Sequence, residues 1–403
     1  MKKLITIGLL ISTLTGSSQV NTFLIARNTG QYPLYNGDTI RVFGFTERLK
    51  DEVNIPGPTL YYNEGDSVTI DLWNVSQGAP HTIHLHGLDV DQANDGVPHL
   101  SFDVAHMDHG FYRFKAPHAG TYLYHCHVVS TLHVQAGMYG LIIIRPPNGS
   151  FNTWAGGHAY HSEQNWMTSE VDTNWHKDGV LNHNHNIGGG IMRVEIPEYR
   201  PQHFLVNGLS EQQLTDSSTA LLSSVNEEVY LRIANIGYYG NTFHFPSSYH
   251  ARIVSSDGRP LPQLERSDSL RVFPGERYGV LLKAISEFID SVALDYFNLN
   301  TAAVVNTQWI PAQVAGFFST PELETTPLSV YPNPATDDIR INTSDFKPSN
   351  WQLMNAQGRL YNVTVNAVAD GIYELNLAEL APGLYYLNAI GRNQIKGAAI
   401  IKK

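Results

Sequence analysis

One cysteine in 403 residues is too few for any internal disulfide. Charge is also sparse: charged residues make up 16% of the chain, with 26 Lys and Arg against 37 Asp and Glu. The resulting formal charge of −11 argues against nucleic acid or an anionic membrane as a partner. Long apolar runs are missing as well. The mostly apolar stretch from Leu4 to Leu14 is shorter than the ~20 residues a membrane helix needs. With Lys2 and Lys3 before it and Gly16, Ser17 and Ser18 after it, the stretch reads as a secretory signal over 1–18. An exported protein with an unpaired thiol carries a liability, which ligation to a metal would remove.

Helical periodicity is scarce, whereas Tyr, Thr, Val, Gly and Asn are plentiful, and this composition favours β structure. From 19 to 147 short apolar runs alternate with turn signals, as in Ser67-Val68-Thr69-Ile70-Asp71-Leu72 and Gly140-Leu141-Ile142-Ile143-Ile144. Pro146-Pro147-Asn148-Gly149 closes this segment. The texture returns over 150–318, where Val229 to Ile233 and Tyr278 to Leu282 read as strands. Within it Ala155 to Gly190, rich in His, Asn, Trp and Gly, reads as a long surface loop. A polar linker around Thr320 to Pro327 precedes a last alternating segment, 328–403. The fold class expected is all-β: two Greek-key sandwiches of cupredoxin size and a small C-terminal sandwich.

The lone cysteine lies in Tyr124-His125-Cys126-His127, with His133 and Met138 downstream and His81-Thr82-Ile83-His84-Leu85-His86-Gly87 upstream. Side chains alternate faces along a strand. His125 and His127 therefore share one face and Cys126 takes the other, while His84 and His86 share a face. His81, three residues before His84, falls on the side of Cys126. With His133 and Met138 folding back in a loop, His81, Cys126, His133 and Met138 make a His₂Cys set with an axial Met, the donor set of blue copper. His84, His86, His125 and His127 make a second, all-histidine set facing outward. Four buried imidazoles at alternating positions are hard to satisfy without a metal.

These residues resemble the multicopper oxidases. The likeness extends to Ile55-Pro56-Gly57-Pro58-Thr59 before Gly65-Asp66, to His84-Leu85-His86-Gly87-Leu88 and to Asp95-Gly96-Val97-Pro98. It continues in Gly120-Thr121-Tyr122-Leu123-Tyr124-His125 and Gly137-Met138. The resemblance implies type 1 copper on His81, Cys126, His133 and Met138. It also implies half of a type 2/type 3 cluster, which reduces dioxygen, on His84, His86, His125 and His127. Six residues separate Cys126 from His133, where the family usually has four. Copper nitrite reductases are a poorer match, since they carry an aspartate where this chain has His84 and lack a counterpart of His127.

Asn207-Gly208, Leu231 to Asn235, Ser256-Asp257-Gly258 and Pro274-Gly275-Glu276-Arg277 resemble the copper-free middle domain of the same family. Neither expected His-x-His pair appears there. Asn241-Thr242-Phe243-His244 offers one imidazole and Tyr296-Phe297-Asn298 none. The cluster would be completed by a second protomer or a partner chain, or stay incomplete. Val330-Tyr331-Pro332-Asn333-Pro334-Ala335-Thr336 and the terminal Ile401-Lys402-Lys403 resemble the C-terminal sorting domain of type IX secretion, which implies the secretion machinery as a partner. Three readings follow. The first is a secreted, laccase-like oxidase taking electrons from a reducing substrate and passing them to O₂ within a homo-oligomer. The others are a non-enzymatic copper carrier and a nitrite reductase. His99, His106, His109, His118 and the His183-Asn184-His185 tract read as loop, and His244 and His250 as packed in the second domain.

Overall fold

A computed structural model describes residues 18–403 apart from 79, 148, 183–195, 317–327, 344–346, 349, 356–359, 362 and 391–394. Residues 1–17 of the signal-peptide stretch, the linker and His183-Asn184-His185 lie outside the described residues. The chain divides into two compact units, Met1–Gly316 and Phe317–Lys403.

The first unit holds two β-sandwiches. In the first sandwich, β1 (Gln19–Pro33), β2 (Thr39–Thr46), β4 (Ser67–Asn74) and β6 (His109–Lys115) form one sheet in the order β2-β1-β4-β6. Its partner has the order β3-β8-β7-β5, built from β3 (Leu60–Asn63), β5 (His84–His86), β7 (Gly120–His125) and β8 (Tyr139–Arg145). Strand β6 alternates between exposed and buried residues, as a strand with one wet face must. Strand β7 is buried throughout. Its Tyr122 and Tyr124 enter the core of the first sandwich. Leu123 on the other face joins Leu141, Met167, Val171, Leu205 and Ala234 in an apolar cluster shared with the second sandwich.

That second sandwich has one sheet ordered β10-β9-β12-β17-β14-β15 and one ordered β11-β19-β18-β13-β16. Its strands are β9 (Ser162–Val171), β10 (His203–Val206), β11 (Leu221–Ser224), β12 (Glu228–Asn235), β13 (Gly240–His244) and β14 (Arg252–Ser256). They continue with β15 (Arg259–Arg266), β16 (Ser269–Val272), β17 (Arg277–Lys283), β18 (Phe288–Phe297) and β19 (Val304–Ala315). Strand β9 corrects the expectation of a loop from Ala155 to Gly190. Its polar residues are buried by hydrogen bonds rather than by apolar packing. Thr168 donates to Asn241 at 2.5 Å, and Tyr139 of the first sandwich donates to Ser169 at 3.0 Å.

The seam between the sandwiches also holds an ion cluster. Arg232, with no exposed surface, lies 3.2 Å from Glu163 and donates to Thr121 Oγ1 at 3.1 Å, while Arg145 reaches the same carboxylate at 2.5 Å. Glu163 stays ionised in spite of its burial because the two guanidiniums hold its carboxyl below the usual range. The second unit is a pair of four-stranded antiparallel sheets around Ile339, Ile341, Leu353, Leu375 and Leu387.

Candidate metal centre

Antiparallel pairing of β5 with β7 sets His84 opposite His125, Leu85 opposite Tyr124 and His86 opposite Leu123. Leu85 points into the first core, so His84 and His86 face the other way, with His125. This is the side that carries Leu123, the side on which the second sandwich packs. Donor atoms of His84, His86 and His125 lie within 4.8 Å of one another. The His127 ring stands beside them, 5.3 Å from the His84 ring and 6.0 Å from that of His125.

Backbone carbonyls select the ring nitrogens of two of these residues. His84 Nδ1 lies 2.8 Å from the Asp95 carbonyl, and His125 Nδ1 3.1 Å from the Cys126 carbonyl. A ring nitrogen facing a carbonyl carries the proton, so each Nε2 is left with its lone pair. Burial pushes His125 down to about 3, and burial with the charge of Arg277 pushes His86 down to about 4. Both imidazoles are therefore neutral near pH 7, the form in which they ligate metals.

On the reverse face the Cys126 sulfur lies 3.2 Å from His133 Nδ1 and 3.6 Å from His81 Nδ1. All three residues and Met138 have no exposed surface. Cys126 N–H donates to the Met138 carbonyl and Met138 N–H to the His133 carbonyl, each at 3.0 Å. Burial pushes the thiol up to about 11, so the sulfur keeps its proton until a metal displaces it. A soft sulfur donor and two imidazoles converging in a dry pocket fit copper.

His133 does not sit in a loop, as expected from the sequence, but in a short helix, α1 (Ser130–Gln135). The chain turns into it through Val129 at φ 44°, and the long spacer leaves room for the helical turn. The second sandwich pins the end of this helix. Gln135 donates to the Glu170 carbonyl at 2.8 Å and accepts from Asp172 N–H at 2.7 Å.

The other described histidines singled out in the sequence lie outside both donor groups. His109 stacks on Trp73 and pairs with Asp71 at 2.7 Å, and His106 Nδ1 meets the Ser76 carbonyl at 2.9 Å. His118 Nδ1 lies 2.6 Å from the Tyr122 hydroxyl, and His99 is exposed. His244 and His250 were expected inside the second sandwich. Both are exposed, and His244 pairs with Asp295 at 3.0 Å. Gln135, Thr82, Gly275 and Arg277 support the ligands without any sequence signal for that role. Thr82 Oγ1, for instance, accepts from His127 N–H at 2.9 Å.

A β-sandwich that gathers these donors around β5, the end of β7 and α1 is a cupredoxin-type protein. Multicopper oxidase family models match 51–149 and 168–306, one in each sandwich, and the chain belongs to the multicopper oxidase family. A secretion-system C-terminal sorting domain matches 329–403. Copper resistance protein A of Escherichia coli is 39% identical over 117 residues, 28% of this chain and 19% of that protein. L-ascorbate oxidase of Cucumis sativus is 27% identical over 250 residues, 56% of this chain and 40% of that protein. The chain thus spans well under two thirds of these relatives. Among solved structures, the blue copper oxidase of Nitrosomonas europaea superposes with a TM-score of 0.56 at 24% identity, covering 73% of this chain and 86% of that one. The copper nitrite reductase of the same organism reaches a TM-score of 0.55 at 19% identity, with 74% and 94% covered. These two likenesses are likenesses of fold.

Proposed function

We propose that this protein is a secreted, laccase-like copper oxidase, exported through the periplasm by way of its sorting domain. His81, Cys126, His133 and Met138 hold type 1 copper, and His84, His86, His125 and His127 hold part of a type 2/type 3 site. Residues 19–147 form the copper domain, 150–318 a ligand-free companion and 328–403 the sorting domain. Copper bound in these sites supplies one-electron transfer at the thiolate-bound ion and dioxygen reduction at the histidine-bound ions. The observation that carries the reading is the convergence of two donor groups on opposite faces of one short segment.

The chain's own residues do the rest. Cys126 is bonded directly to His125 and His127, so its sulfur has a short covalent route to the opposite donor set. The buried pocket of Phe43, His81 and His133 excludes water from the thiolate. His133 is itself inaccessible, so the reducing substrate approaches over the Val129–Thr131 shoulder of α1 and does not touch the ring.

Four imidazoles gather in this chain, whereas a full cluster in the family takes eight, so the reading includes a homo-oligomer or a partner subunit. One observation favours a second reading, a non-enzymatic copper carrier. Among the described residues, no second group of three His, Cys, Asp or Glu donors converges in the second sandwich. Copper per chain, measured with oligomeric mass and oxygen uptake, separates the two. Several coppers per assembly with oxygen consumption supports the oxidase, while one copper per monomer without oxygen uptake supports the carrier.

A further inference from the structure

The second sandwich has no ligand pair, yet one of its turns lies against the histidine set. Two glycines allow the approach. Gly275, at φ +84°, is so close that a Cβ there would sit 3.1 Å from His86 Cε1 and 3.3 Å from its Nε2. Gly87 follows His86 at φ +84°, and a Cβ on it would fall 2.1 Å from Arg277 Nη2. The Arg277 guanidinium is 5% exposed and fixed on several sides. It pairs with Asp257 at 2.9 Å, donates to the Gly275 carbonyl at 2.6 Å and to the Thr121 carbonyl of β7 at 3.4 Å.

His86 Nδ1 faces His125 Nε2 at 3.3 Å, and its Nε2 lies on the side of Gly275. We propose that Gly275 and Arg277 of the second sandwich are positioning residues for the histidine site, fixing the ring of His86 with its Nδ1 on the side of His125 and its Nε2 on the side of Gly275. The consequence is specific. His84 and His125 turn Nε2 toward the site because the Asp95 and Cys126 carbonyls meet their Nδ1, and His86 turns Nδ1 toward it because the turn at Gly275 packs against the other edge of the ring. Copper-free as a domain, the second sandwich still sets the donor geometry of the first.

This inference rests on the reading of His84, His86 and His125 as copper ligands. The test is a Cu(II) titration of the full chain, followed by electron paramagnetic resonance and visible absorption. Outer partners of metal-bound histidines are worth about 10–100-fold in affinity. Arg277→Gln is expected to keep the blue type 1 band and to weaken copper at the histidine site by that factor, with altered hyperfine splitting. Arg277→Lys, which keeps the charge and a donor, is expected to restore part of the affinity. Parental affinity and an unchanged spectrum in Arg277→Gln overturn the proposal. If that variant loses the blue band through misfolding, Gly275→Ala carries the test with the same expected loss and the same contrary result. A parent chain that binds copper only at Cys126 overturns the underlying reading and this inference with it.

Discussion

The two sandwiches of the first unit are built on the same plan, yet among the described residues potential metal donors converge in only one. In the first, β5 and β7 place Leu85 and Tyr124 inward and His84 and His125 outward, so the pairing that fills the core also assembles a donor set. In the second, β13 pairs with β18 in equally regular register, but its one outward imidazole, His244, meets Asp295 in a half-exposed ion pair. Burial of the inward face is alike in both, with Leu85 and Leu231 each sealed from solvent. The fold therefore fixes where ligands can stand and leaves open whether any are present. What the second sandwich contributes is support: it pins Gln135 beside His133 and presses Gly275 and Arg277 on His86.

The sharpest way to break this contrast is to remove donors from each side. Cys126→Ser is expected to abolish the blue absorption of copper-loaded protein, while His244→Ala and His250→Ala leave it intact, as a visible spectrum will show. Next comes the ion cluster at the seam. Glu163→Ala leaves the wholly buried Arg232 without its carboxylate and is expected to cost about 3–5 kcal/mol in urea unfolding. Leu85→Ala and Leu231→Ala each open a cavity in a sealed core and are expected to cost about 2–5 kcal/mol. Copper affinity should fall only for Leu85→Ala, because Leu85 sits between two donors. Equal copper loss in Leu231→Ala would break the comparison.

The smallest effect is a dependence on pH. Glu170 is buried at the seam, where Tyr238 N–H donates to it at 2.8 Å, and burial pushes its carboxyl up to about 7. A carboxyl raised in the folded state binds its proton more tightly than in the unfolded chain. Its contribution is full below about pH 4.5 and is lost as pH rises through 7, a change on the order of 3 kcal/mol. His176, lowered to about 4 by burial, acts oppositely and costs stability as pH falls below 6.5. Urea midpoints of Glu170→Gln against the parent at pH 5 and pH 8 isolate the first effect. The parent is expected to lose more stability than the variant over that interval, and parallel behaviour would contradict it.

Much of this was legible in the sequence where one force dominates. Alternation in Ser67 to Leu72 reports a half-buried strand, and the placement of His84, His86, Cys126 and their neighbours follows from the two-residue period alone. Strand β9 was hidden because Thr168, Ser169 and Glu170 are buried by hydrogen bonds, so the buried apolar Met167 and Val171 are separated by polar residues and show no regular alternation. Helix α1 was hidden because six residues permit a loop as readily as a turn of helix. Asp95 and Cys126 act through backbone carbonyls, which every residue has, so no residue type betrays them.

The account turns on whether the Cys126 sulfur and its imidazoles bind copper in a dry, trigonal site. The direct measurement is the visible absorption of the full chain loaded with Cu(II), together with its copper content. The predicted result is an intense blue band that scales with the first copper bound per chain. Stoichiometric copper in a colourless protein would contradict the assignment.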